Sequence, residues 1–183
     1  MRKMDRKVEI PAIRFCNEIE EFARNYAVQK WEALSEENRT FLSNIATKLE
    51  PIIQIFPAPT TPVLLGFECL ALGPTGESFP IIVKSTNFDP DIVRLMILLS
   101  ALKTAETLRA SIIQSDEGRG RNLLFTVNLD SVMLSSKHLK KFLNLYKPFL
   151  ENVIFEINED TTCNYINDIQ EIVTEFDIKI ALD

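Results

Sequence analysis

The sequence predicts an α/β protein built on a parallel sheet with helices packed over it. Two observations carry this expectation: the strands are apolar along their whole length, and amphipathic helices alternate with them beyond Leu123. Strands at 123–129, 153–157 and 178–182 take turns with helices at 136–146 and 165–176. A closed barrel of the TIM type and an open doubly wound sheet both satisfy that order.

The first fifty residues read as a helical pair. Between Pro11 and Leu34 the residues Ile13, Ile19, Phe22, Ala23, Tyr26 and Trp31 recur at helical spacing with charged residues between them. Ser35 then offers a capping oxygen to a second helix, expected over 36–50 with the stripe Phe41, Leu42, Ile45 and Leu49. At Pro51 the composition shifts. A strand over 52–56, a proline-rich break from Pro57 to Pro62 and a second strand over 63–72 predict a hairpin, and a long apolar helix follows over 90–114. The expected organisation is an N-terminal helical extension over 1–50 and a barrel-like unit over 51–183.

Composition excludes several classes. The chain of 183 residues is 46% hydrophobic and 25% charged, as for an ordinary globular domain. A net charge of -6 and a pI near 5.0 argue against nucleic acid as the partner, because phosphate backbones are met by clustered Lys and Arg. Cys16, Cys69 and Cys163 lack metal-site or disulfide spacing. The basic start is followed by Val8-Glu9-Ile10-Pro11 rather than an apolar core, and the apolar run near Ile92 to Leu102 is too short to cross a bilayer. No membrane anchor is expected, and the cytoplasm is the expected compartment.

The chemistry is expected where polar residues interrupt apolar strands, since barrel enzymes build sites at strand carboxyl ends. Glu68, Asn128, Glu156 and Asp183 each stand alone on or directly after a different strand. A lone carboxylate in such a place is costly to bury unless a cation or donor meets it, and one shared cation would satisfy all four. Three carboxylates and an amide oxygen are hard ligands suited to magnesium, manganese or calcium. His138 lies near a helix start, where a solvated face explains it, and Gly118-Arg119-Gly120-Arg121 reads as a solvated loop.

The run Gly66-Phe67-Glu68-Cys69-Leu70 resembles the Gly-x-Glu-Ala-Leu signature of EAL domains, with Cys69 in place of Ala, and Gln54 precedes it at a spacing that suits the family's Gln. Val127-Asn128-Leu129, Phe155-Glu156-Ile157-Asn158-Glu159 and Ile180-Ala181-Leu182-Asp183 resemble three later landmarks in the family's order. The resemblance covers about 50–183 and implies an incomplete TIM-type (β/α) barrel of the EAL kind behind the N-terminal helical pair. It implies a fold that hydrolyses cyclic di-GMP with two divalent metals, magnesium or manganese. Glu68, Asn128, Glu156 and Asp183 would then ligate the first metal, and Gln54 would lie beside the nucleotide. Two departures stand out. Leu72 occupies the place of an arginine that contacts the dinucleotide, and the second-metal and later catalytic residues would all fall beyond Asp183.

The expected function is therefore an EAL-like domain of bacterial cyclic di-GMP signalling without catalysis of its own. The alternatives are a protein-interaction module on a degenerate EAL barrel and the front half of an active phosphodiesterase. Expected partners are cyclic di-GMP and, because a barrel cut after its fifth strand leaves an open edge, a second copy or another protein.

Overall fold

The computed structural model describes residues 11–54, 63–114, 123–158 and 165–182. Asp183, Cys163, the Pro57–Pro62 break and the Gly118–Arg121 loop lie outside these residues. In chain order the elements are β1 (Ile13–Arg14), α1 (Cys16–Glu32), α2 (Glu36–Ser43), β2 (Ala46–Gln54), β3 (Val63–Leu72), α3 (Phe79–Ser85), α4 (Pro90–Gln114), β4 (Leu124–Asn128), α5 (Lys137–Tyr146), β5 (Val153–Ile157), α6 (Ile166–Phe176) and β6 (Lys179–Leu182). The strands form one six-stranded sheet in sequential order. The β1–β2 and β2–β3 pairs are antiparallel, and the pairs from β3 to β6 are parallel.

The expected second helix over 36–50 is corrected. Helix α2 starts as anticipated, with the Ser35 hydroxyl accepting from Asn38 N at 3.2 Å. It ends at Ser43, because Asn44 caps it and donates its side-chain amide to Thr40 O at 2.8 Å. The chain then becomes β2, which runs across position 50. Pro51 lies within β2, beyond the described pairing of that strand with β1, which stops at Thr47. The short helix α3, with a proline in its first turn, was not anticipated.

One face of the sheet is covered. Leu49, Phe67, Cys69, Phe125, Val127, Val153, Phe155 and Ile157 are buried in a core shared with the helices. Helix α4 lies across β2, β3 and β4, and its Ser100 hydroxyl meets the Thr47 hydroxyl at 2.9 Å in the interior. The N-terminal helices belong to the same core. Trp31 is fully buried and packs edge-on against Phe88, while Phe22 meets Phe142 of α5 in the same manner. The apolar stripe read from the N-terminal sequence is thus spent within the chain. Among the described residues no helix is long and apolar enough to cross a membrane.

Candidate functional site

The opposite face of the sheet carries the polar residues. Strand alternation sends Phe67 and Cys69 to the helices and Glu68 the other way. The same rule sends Phe125 and Val127 inward and Asn128 out, and Val153, Phe155 and Ile157 inward with Glu156 out. Register then brings these side chains together. Glu68 lies level with Thr126, Asn128 lies level with Glu156, and Asn128 Nδ2 donates to Glu68 Oε1 at 3.4 Å. Glu68 and Glu156 are both half-buried. Three of the four anticipated ligands therefore share one face of three adjacent strands. Asp183, the fourth, falls outside the described residues.

Gly66 has a structural task in this arrangement. A Cβ placed there would lie 1.9 Å from Leu124 O, so only glycine lets β3 approach β4 two residues before Glu68. The register of β2 against β3 also shifts between Ile52 and Ile53, a bulge beside that close approach.

Strand β2 contributes two residues that the sequence reading missed. Glu50 is in direct register with Glu68, and Lys48 Nζ reaches Glu50 Oε1 at 2.7 Å on the same face. Gln54, expected beside the nucleotide, has its backbone opposite Val63, the first residue of β3. That is the far end of the hairpin from the strand carboxyl ends where Asn128 and Glu156 sit. The signal for Glu50 was the alternation of Thr47 and Leu49 with Lys48 and Glu50, which fits a strand once the helix is ended at Ser43.

The loop after β4 is held from behind. Arg94 of α4 donates Nε to Asp130 Oδ2 at 2.7 Å and Nη1 to Asp91 Oδ1 at 3.3 Å, and Asp130 Oδ1 accepts from Val132 N. The arginine that interrupts the apolar run of α4 thus fixes the turn two residues beyond Asn128.

Among the described residues no group of three His, Cys, Asp or Glu is placed to hold a metal ion. The oxygens gathered on the polar face include the carboxylates of Glu68 and Glu156 and the amide of Asn128, all hard donors. The hydroxyl of Thr126, level with Glu68, is buried without a hydrogen-bond partner, leaving an unsatisfied oxygen beside them. These residues fit a hard cation in chemistry, provided the Asn128 amide turns to offer Oδ1 in place of the nitrogen it now points at Glu68.

No sequence-family model matches the chain, and no characterised protein matches it by sequence. Solved structures do match in fold. BlrP1 of Klebsiella pneumoniae, in a calcium and cyclic di-GMP complex, aligns with a TM-score of 0.53 at 16% identity over 88% of this chain. Its manganese and cyclic di-GMP complex gives the same score and identity. The EAL enzyme Bd1971, bound to cAMP and cyclic di-GMP, aligns with a TM-score of 0.55 at 15% identity over 92%. The chain spans 42% of the first of these proteins and 45% of Bd1971, less than half of each. Coverage of this extent exceeds the part beyond Glu50, so the likeness extends into the first fifty residues. The chain has an EAL-like fold.

Proposed function

We propose that this chain is an EAL-like domain of bacterial cyclic di-GMP signalling, and that it binds the dinucleotide through a divalent cation without hydrolysing it. The observation that supports this most is the meeting of Glu68, Asn128 and Glu156 on one face of adjacent parallel strands, in a fold shared with proteins solved with that ligand. Magnesium or manganese held by these three residues, with Asp183 as the fourth ligand, would supply positive charge to a phosphodiester that the carboxylates alone repel. In this reading Glu50 takes the strand position expected for Gln54. Leu72 in place of the arginine that contacts the dinucleotide removes one contact to the ligand, so binding in this reading depends on the metal.

Isothermal titration of cyclic di-GMP into the protein with and without manganese tests the proposal. Binding that appears only with the metal, with intact dinucleotide recovered by chromatography, is the expected result. No heat under either condition removes the proposal, and steady conversion to a linear product removes its second half.

Self-association belongs to the same reading. Strand β6 is the last in the sheet order and Leu182 on it is 59% exposed, so a second copy could pair there. Sedimentation equilibrium that shows only monomer across a wide concentration range would exclude it.

A further inference from the structure

Thr126 is out of keeping with its surroundings in β4. Phe125 and Val127 on either side of it are buried in the core, so alternation puts Thr126 on the opposite face of the sheet with Asn128. A threonine on an open face would give its hydroxyl to water. Thr126 is instead only 7% exposed, and its Oγ1 has no hydrogen-bond partner among the described residues. A valine would fill the same space without a hydroxyl, and a buried hydroxyl left unpaired is unfavourable. The fold alone gives no reason for a threonine at this position.

The neighbouring strand supplies one. Thr126 is level with Glu68 of β3, one strand spacing of about 4.8 Å away. Glu68 accepts its hydrogen bond from Asn128 Nδ2 at 3.4 Å, which is long for such a bond. A hard cation calls for the other end of that amide, Oδ1. Turning the amide withdraws the donor from Glu68 at the moment when its carboxylate has to be held in place as a ligand. Register sets the Thr126 hydroxyl beside that carboxylate, with a proton to give.

We propose that Thr126 is a positioning residue of the cation site: its hydroxyl donates to the Glu68 carboxylate when Asn128 turns its amide oxygen to a divalent ion, and stays unpaired when no ion is bound. The proposal rests on the metal-binding reading above. The two states are complementary. Without the ion, Asn128 serves Glu68 and Thr126 is idle; with the ion, Asn128 is a ligand and Thr126 serves Glu68. A hydroxyl that is unpaired in the empty protein and satisfied in the loaded one favours binding, although it never touches the ion.

The test is titration of manganese alone into wild type, Thr126→Val and Thr126→Ser, followed by the electron paramagnetic resonance signal of the free ion, with thermal melts of each protein in chelator. Thr126→Val should melt at or above the wild-type temperature, since it removes an unpaired buried hydroxyl and keeps the shape of the side chain. It should bind manganese about tenfold more weakly or worse, the usual effect of losing the partner behind a metal ligand. Thr126→Ser keeps the hydroxyl and should stay within about threefold of wild type. Manganese affinity unchanged in Thr126→Val overturns the proposal and leaves the cation reading standing. Equal weakening in Thr126→Val and Thr126→Ser overturns it as well, since packing and not the hydroxyl would then be at stake. A Thr126→Val protein that melts below wild type shows the hydroxyl already paired in the empty protein, which overturns it too. Absence of manganese binding by the wild type removes the cation reading along with the proposal.

Discussion

The two faces of the sheet are made by the same strands and do opposite work. Neighbouring residues differ completely in surroundings: Phe67 is 6% exposed and stacked on Phe125, whereas Glu68 beside it faces a second carboxylate across the hairpin. Phe155 is fully buried, and Glu156 is level with an exposed asparagine. One face gathers apolar area and holds the fold together. The other gathers carboxylates and an amide on adjacent strands, which suits it to a ligand. If that division is right, substitutions on the two faces should separate stability from binding.

The largest effect belongs to the covered face. Phe155→Ala deletes a ring with no exposed surface, and should cost about 3–5 kcal/mol in denaturant unfolding. The variant that folds at low temperature should still bind whatever wild type binds. A cost below about 1 kcal/mol would mean that the core between sheet and helices is looser than its burial indicates.

Much of this division was legible in the sequence, and the part that was not has a physical cause. One polar residue per apolar strand located Glu68, Asn128 and Glu156, because period-two alternation fixes which side of a strand each residue takes. Helix α4 was read with its observed ends, since a proline opens it and its apolar run is long. The segment after Ser43 was misread because Phe41, Leu42, Ile45 and Leu49 fit helical spacing, while Thr47 and Leu49 equally fit an alternating strand. Only the long-range pairing of β2 with β3 decides between them. That one error hid Lys48 and Glu50 as residues of a strand facing Glu68. Register, which brings Glu50 level with Glu68, is not encoded in any local pattern.

A smaller effect is expected from Cys69, which lies between the two faces in sequence but belongs to the covered one. Burial, and then the negative charge of Glu68, push its thiol up from an ordinary 9.0 to about 12. The folded state thus favours the neutral thiol more strongly than the unfolded chain does. Its contribution to stability is complete below pH 9 and is lost as the pH rises from there toward 12. At pH 8 a thiol reagent should label Cys16, which is partly exposed, and leave Cys69 unmodified until the protein is unfolded, as read by peptide mass mapping. Rapid labelling of native Cys69 would show that β3 opens readily and that the covered face is not closed.

The smallest expected effect is also the one that distinguishes the faces most sharply. Glu68→Gln keeps the size of the side chain and leaves an oxygen to accept the hydrogen bond from Asn128 Nδ2. It removes one of two negative charges set directly opposite each other on β2 and β3. Like charges in that relation destabilise a sheet, and relief of one such pair is worth a few tenths of a kcal/mol. Unfolding of Glu68→Gln should therefore be unchanged or slightly harder, by no more than about 0.5 kcal/mol. Metal-dependent binding of cyclic di-GMP should nevertheless be lost, because a neutral amide is a poorer ligand for a hard cation. A loss of stability above about 1 kcal/mol would show that Glu68 is held by structural contacts. The bare face would then be part of the scaffold, and its acidic residues would no longer argue for a ligand.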